Sequence, residues 1–176
     1  MRNDNTRIIQ IYCGFGKGKT TSAVGQTLRA AGNGFFVVFI QFLKSRERSG
    51  EINVLEKIPG IEYRAFGTGK FLKISNIQEE DHICARSGIE CAQNVLARKA
   101  ADMLVLDEIG PVLEFHLIPV ESVLELFKMG DRWLDIVLTG RSFPESIMNA
   151  ADLVTRMDPL KHHFDKCVAA RRGIEF

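Results

Sequence analysis

The sequence predicts an α/β fold in which a mostly parallel central sheet carries helices on both faces. Short apolar runs, rich in β-branched and aromatic residues, recur along the chain and alternate with segments of helical periodicity. The 176 residues are 45% hydrophobic, which is enough to bury a core without disulfides or metals. We therefore expect a single domain that spans residues 1–176.

Six strands are predicted along the chain. They lie at about 8–12, 35–42, 61–66, 103–107, 134–139 and 152–157. The runs at 35–42 and 103–107 are apolar at nearly every position, so both of their faces must be covered. These two strands are therefore expected in the interior of the sheet.

Helices are predicted between the strands. The first covers 22–31, and the longest covers 78–101, with acidic residues in its first turn, where the helix dipole favours negative charge. Another covers 119–129, and Pro144 begins the last, because proline is well suited to a first helical turn. The least regular stretch, 67–76, is predicted to be a loop.

Composition excludes several classes of protein. The formal net charge of +1 provides no field for binding duplex nucleic acid. No apolar run is long enough to cross a membrane and no signal peptide is apparent, so a cytoplasmic location is expected. The four cysteines lack C-x-x-C spacing, which argues against a zinc site and a disulfide framework.

A glycine-rich segment, Gly14-Phe-Gly-Lys-Gly-Lys-Thr-Thr21, lies between the first strand and the first helix. Glycines allow a close approach to phosphates, Lys19 supplies a positive charge, and the Thr20 hydroxyl can ligate Mg²⁺. The usual phosphate loop has glycine five residues before Gly18, where this chain has Cys13. The loop is therefore a shortened variant, and phosphate binding is its predicted role.

Two carboxylates, Asp107 and Glu108, follow the apolar strand at 103–107. Such a pair is the usual second half of a phosphate-loop site, where one acid holds Mg²⁺ or its water. An acidic pair at this position could also be a solvated turn. Together with the glycine-rich segment, it predicts a site for the magnesium complex of a nucleoside triphosphate.

These two motifs leave the reaction open. A hydrolase or kinase attacks the γ-phosphorus and needs a positioned water or an acceptor hydroxyl. The same loop could instead hold the triphosphate as a leaving group while a nucleophile attacks the 5′ carbon of the ribose. The second use needs no general base when the nucleophile is already electron-rich.

Further short motifs occur in order along nearly the whole chain. With the two motifs above, they are 14–21, 41–44 (Gln-Phe-Leu-Lys), 66–69 (Phe-Gly-Thr-Gly), 105–108 (Val-Leu-Asp-Glu), 138–141 (Leu-Thr-Gly-Arg), 151–154, 161–165 and 173–176. In these segments the chain resembles the ATP:corrinoid adenosyltransferases of the cob(I)alamin type, found in bacterial cobalamin synthesis and salvage, and that family shares the shortened phosphate loop.

The resemblance implies a RecA-like phosphate-loop NTPase fold and a defined reaction. The 5′-deoxyadenosyl group of ATP would pass to the Co(I) of cob(I)alamin or a related reduced corrinoid, with release of triphosphate. Mg²⁺, or Mn²⁺ in its place, would accompany ATP. The resemblance also implies a homodimer and a flavoprotein as the reductant, with no nucleic acid or membrane partner.

The resemblance also implies roles for individual residues. Catalytic roles fall to Lys19, Thr20 and Glu108, and the implied metal residues are Thr20, Asp107 and Glu108. The implied substrate-binding residues are Gly14, Phe15, Gly16, Lys17, Gly18, Lys19, Thr20, Thr21, Lys44, Phe71 and Arg141. The adjacent His162 and His163 are not assigned to cobalt, because no third ligand accompanies them.

Two departures from the family keep alternatives open. Leu72 occupies a position where relatives carry tryptophan in an aromatic pair linked to displacing the lower ligand of the corrinoid. The segment 109–114 replaces a longer apolar-aromatic stretch of the family, and Asp-Glu-Ile-Gly at 107–110 is reminiscent of small phosphate-loop nucleoside triphosphatases. The alternatives are therefore a phosphate-loop triphosphatase or kinase, and a non-catalytic module that binds ATP or a corrinoid.

Overall fold

The computed structural model of the chain describes residues 7–45, 50–129, 134–161, 171, 173 and 174. The strands are β1 (Ile9–Cys13), β2 (Val37–Phe42), β3 (Ile61–Phe66), β4 (Met103–Asp107), β5 (Asp135–Thr139) and β6 (Leu153–Arg156). The helices are α1 (Lys19–Gly32), α2 (Ile52–Leu55), α3 (Glu79–Ala97), α4 (Ile109–Glu114), α5 (Val120–Lys128) and α6 (Glu145–Ala150).

The six strands form one sheet in the order β3-β2-β4-β5-β1-β6, and every neighbouring pair is parallel. The predicted α/β fold is confirmed, and β2 and β4 lie in the interior, as their two apolar faces require. Because all strands run in one direction, their carboxyl ends meet at one edge of the sheet. Ligands bind at this edge in open α/β proteins.

Hydrophobic cores lie on both faces of the sheet. Alternate residues of β2 belong to different cores: Val38 and Ile40 pack into one core, and Val37 and Phe39 pack into the other. The first core is completed by α3, α4, α5 and α6, and the second by α1 and α2. Helices therefore cover both faces, as predicted.

Two short helices, α2 and α4, were not predicted. Both have six residues or fewer, which is too short for an apolar stripe to be recognised as helical. The first turn of α4 packs directly against the backbone that follows β5. A Cβ added at Gly110 would lie 2.6 Å from the Cα of Gly140, so this contact leaves no room for a side chain. Helix α1 begins at Lys19, three residues before the predicted start at residue 22. Residues 19–21 of the phosphate loop are therefore helical.

The described cysteines are free thiols: Cys13 and Cys91 are buried, and Cys84 is partly exposed. Cys167 lies outside the described residues. None of the described helices is long and apolar enough to span a membrane.

Candidate active site

A cavity of about 660 Å³ opens at the carboxyl edge of the sheet. Its walls come from the phosphate loop, the segments after β2, β3, β4 and β5, and Pro159 after β6. Eight of the residues implied by the sequence line it: Phe15, Gly16, Lys17, Lys19, Lys44, Phe71, Glu108 and Arg141. The topology thus brings together side chains that are far apart in sequence.

The backbone of the phosphate loop is clamped between the segments that follow β5 and β6. The N–H of Gly14 donates to the Arg141 carbonyl at 2.9 Å, and the N–H of Gly16 donates to the Met157 carbonyl at 2.7 Å. Gly14 has a φ of 102°, and a Cβ there would lie 2.4 Å from the Met157 carbonyl oxygen. No other residue type fits at Gly14 without displacing backbone.

The ammonium of Lys19 lies against the inside of this loop. Its Nζ donates to the carbonyls of Gly14 and Gly16 at 2.8 Å each, which leaves the third N–H direction for another acceptor. Burial lowers the pKa of Lys19, while the carboxylate of Glu108 acts in the opposite direction. The loop therefore holds a fixed positive charge beside the cavity.

The first turn of α1 offers backbone donors at the same place. Gly18 precedes the helix in a left-handed conformation with a φ of 115°, and no side chain caps the N–H groups of this turn. The first turn also carries no acidic residue. Its partial positive charge is thus available to an anion.

Asp107 is completely buried, and both of its carboxylate oxygens accept hydrogen bonds from other side chains. Gln41 Nε2 donates to Oδ2 at 2.8 Å, and the Thr139 hydroxyl donates to Oδ1 at 2.7 Å. Tyr63 extends the chain of contacts by donating to Gln41 Oε1 at 2.5 Å. Asp107 does not line the cavity, and this arrangement favours an indirect role at a metal over direct ligation.

Glu108 points into the cavity from a left-handed backbone conformation, with a φ of 61°. Its N–H donates to the hydroxyl of Thr139 at 2.9 Å, which helps to hold the strained turn. Burial raises the pKa of the Glu108 carboxyl, and the charge of Asp107 adds to that rise. Lys44, Lys19 and Arg141 lower it.

Gln41, Tyr63 and Thr139 were not among the predicted site residues. Two of them lie within segments that carried the family resemblance, 41–44 and 138–141. Gln41 and Thr139 could have been recognised from the sequence as polar residues at the ends of apolar strands, because a buried polar side chain needs a hydrogen-bond partner. Tyr63 offered no such signal, because aromatic residues are common in strands.

On the far side of the cavity, residues 67–73 form what we call the aromatic loop. Phe71 and Leu72 both contribute to the lining of the cavity, but the Phe71 ring is 74% exposed, whereas Leu72 is 8% exposed and packs into the core. The Thr68 hydroxyl donates to the buried Asp81 of α3 at 2.9 Å. Lys70 and Glu80 pair at 3.6 Å on the surface.

The other predicted residues lie around the cavity without lining it. These are Gly14, Gly18, Thr20, Thr21 and Asp107. Within the described part of the chain, neither the Thr20 hydroxyl nor the Glu108 carboxylate has a side-chain hydrogen-bond partner. The segment 162–165, with His162 and His163, lies outside the described residues.

Comparison with known proteins identifies a similar family. The model of the family described as ATP:corrinoid adenosyltransferase BtuR/CobO/CobP matches residues 5–176. The corrinoid adenosyltransferase of Escherichia coli K12 is 35% identical, with 98% of this chain and 87% of the relative covered. Corrinoid adenosyltransferase CobA of Salmonella typhimurium is 34% identical, with 96% and 85% covered.

A solved structure supports the fold. The KaiC-like protein PH0186 from Pyrococcus horikoshii OT3 superimposes with a TM-score of 0.59, covering 88% of this chain and 72% of its own. At 21% sequence identity this likeness concerns the fold alone. It agrees with the RecA-like architecture implied by the sequence.

Proposed function

The chain belongs to the ATP:corrinoid adenosyltransferase family, which transfers the adenosyl group of ATP to a corrinoid, and we propose how its residues divide that task. The phosphate loop and α1 hold the triphosphate as a leaving group. The opposite side of the cavity receives the reduced corrinoid. The clamped loop with Lys19 at its centre is the observation that carries the proposal.

The triphosphate role rests on preorganised positive charge. Lys19 is already held by two loop carbonyls, and the first turn of α1 presents uncapped N–H groups. Donors that are fixed before the reaction stabilise developing charge without reorganising. Lys17, Lys44 and Arg141 line the same cavity and add to the field.

The donor set fits a hard divalent cation such as Mg²⁺, with Mn²⁺ as an alternative. The Glu108 carboxylate and the Thr20 hydroxyl are oxygen ligands, which Mg²⁺ prefers in combination with substrate phosphates. When bound, the cation neutralises charge on the phosphate oxygens. Asp107 is fixed by Gln41 and Thr139, and the same Thr139 hydroxyl accepts the backbone N–H of Glu108, so one side chain positions both acidic residues.

The chemistry follows from the nucleophile. The filled orbital of Co(I) attacks C5′ of the ribose, a cobalt–carbon bond forms, and the bond between C5′ and O5′ breaks. The electron pair of that bond leaves with triphosphate, and the cobalt is formally oxidised to Co(III). No side chain removes a proton, so the protein contributes alignment and stabilisation of the leaving group.

Three further assignments go with this reaction. We propose a flavoprotein as the source of the electron that produces Co(I), and a homodimer as the working assembly. We also propose that the protein works in the cytoplasm, where cob(I)alamin and ATP would both be supplied.

The test is a product analysis. The protein is incubated with Mg·ATP and chemically reduced cob(I)alamin, the corrinoid spectrum is followed, and the phosphate product is identified. A light-sensitive adenosylated corrinoid together with triphosphate is expected. A matched reaction without reductant should yield neither product.

Other outcomes would contradict the proposal. Release of orthophosphate and ADP without corrinoid would identify a conventional triphosphatase. Binding of ATP with neither product would identify a non-catalytic module.

A further inference from the structure

Phe15 is an unusual residue to find exposed in a phosphate loop. The ring is 74% exposed, although the phosphate contacts proposed above use backbone N–H groups and Lys19, which need no aromatic neighbour. Exposing a large ring to water forgoes the stabilisation that burial would bring. An exposed ring that lines a cavity is therefore a candidate for contact with a ligand.

The backbone around Phe15 fixes where the ring lies. Gly14 and Gly16 both press on the backbone of Met157, where a Cβ would lie 2.4 Å and 2.8 Å from the Met157 carbonyl oxygen. Both also donate backbone hydrogen bonds to neighbouring segments. Phe15 thus lies between two glycines whose backbone is closely packed and hydrogen-bonded, and it lines the cavity.

A second exposed ring lines the same cavity from the aromatic loop. Phe71 is also 74% exposed, while Leu72 next to it is 8% exposed and packs into the core. Leu72 therefore anchors the loop, and its side chain offers little surface to a ligand. Pro111, Phe115 and Pro159 add further apolar lining.

We propose that Phe15 contacts the corrin macrocycle, in the cavity that is also lined by Phe71, a residue that the family resemblance already implies to bind substrate. This inference rests on the proposed function, because it divides the same cavity between the two substrates. The apolar lining comes from several separate segments, and of the two substrates the corrinoid has the larger apolar face. The corrin ring carries methyl and methylene groups on its faces, and aromatic side chains can cover such groups by apolar contact.

The test compares steady-state kinetics of three leucine variants. In Phe15→Leu and Phe71→Leu, the KM for reduced corrinoid should rise about three- to ten-fold, the usual value of an aromatic contact. The KM for ATP should change less than about two-fold. Phe36→Leu is the control, since Phe36 is 39% exposed and precedes β2 at the opposite edge of the sheet.

Phe15→Trp keeps an aromatic ring, so it should retain the corrinoid KM of the unaltered protein. If Phe15→Leu raises the KM for ATP while leaving that for corrinoid unchanged, the ring contacts adenine and the proposal is wrong. Unchanged KM values for both substrates would also overturn it. In either case the triphosphate product would still be formed, so the proposed function would stand.

Discussion

The two sides of the cavity are held in different ways. The phosphate loop is fixed by backbone hydrogen bonds at 2.9 Å and 2.7 Å and by glycines with no room for a side chain. The aromatic loop begins at Gly67, where a Cβ would lie 2.3 Å from the Leu43 backbone, but beyond that point it is held by side chains: the Thr68–Asp81 hydrogen bond, the exposed Lys70–Glu80 pair and the buried Leu72. Backbone constraints tolerate little displacement, whereas side-chain contacts can adjust.

The difference matches the two substrates. A triphosphate is small and strongly charged, and stabilising it as it departs requires donors in fixed positions. A corrinoid is large and carries many peripheral groups, so an adjustable contact surface suits it. We therefore expect substitutions in the phosphate loop to have larger effects than those in the aromatic loop.

The largest effect is expected at Lys19. Lys19→Ala removes the fixed positive charge, and kcat should fall by about 100-fold or more, as for loss of one preorganised donor. The measurement is the rate of adenosylated corrinoid formation at saturating substrates. Lys57→Ala, which removes an exposed lysine outside the cavity, is the control, and equal rates in both variants would exclude Lys19 from the mechanism.

The second-largest effect is expected at Gly14, where the neighbouring backbone leaves no room for a side chain. Gly14→Ala would place a Cβ 2.4 Å from the Met157 carbonyl oxygen at a φ of 102°, so the loop must shift. We expect a loss of stability of about 1–3 kcal/mol and loss of ATP binding, measured by thermal unfolding and calorimetry.

Gly25 provides the control for this substitution. It lies within α1, with nothing within 4 Å of a new Cβ. Gly25→Ala should stabilise the protein by roughly 0.5–1 kcal/mol. If Gly14→Ala and Gly25→Ala change the stability and ATP binding equally, close packing against Met157 is not what constrains the phosphate loop.

The third-largest effect is expected at Glu108, whose contribution to stability depends on pH. Because burial and Asp107 raise the pKa of Glu108, the folded state binds a proton more readily than the unfolded state. The stability associated with this proton is complete below the unfolded pKa and is lost as pH rises through the folded pKa. Glu108→Gln should therefore unfold at a higher temperature than the unaltered protein at pH 8.

This difference should shrink toward pH 4. The comparison is made by thermal unfolding with chelator present and ATP absent, so that protonation alone varies. A difference that stays the same from pH 4 to pH 8 would mean that Glu108 titrates normally.

The smallest effect is expected in the aromatic loop. Thr68→Val removes the donor to Asp81 and should cost about 1 kcal/mol of stability, with a corrinoid KM raised about two- to three-fold. Glu80→Gln is the control, because its exposed pair with Lys70 should contribute less than about 0.5 kcal/mol. A Thr68→Val effect on kcat as large as that of Lys19→Ala would refute the proposed division.

The strands and long helices could be predicted because their signals are local. All six strands agree with the observed ones to within two residues, and Pro119 and Pro144 directly precede α5 and α6. The short helix α4 could not be predicted, because its position depends on the contact between Gly110 and Gly140, thirty residues away.

The site was predicted in part for the same reason. Phosphate loops and paired carboxylates are contiguous patterns, so Lys19 and Glu108 could be selected from the sequence, and both line the cavity. The partners of Asp107 were not, because Gln41 lies 66 residues away and Thr139 lies 32 residues away. The sheet register brings Gln41 beside Asp107, and no local pattern encodes that register.

By itself, the sequence determined the fold class, the family and the residues of the phosphate loop, because these depend on local periodicity and contiguous motifs. Only the tertiary structure decided that Asp107 is enclosed by protein partners, that Leu72 faces the core and that Phe15 and Phe71 line one cavity. Those facts depend on which strands are neighbours and on how loops pack. Both are set by contacts between residues that are distant in sequence.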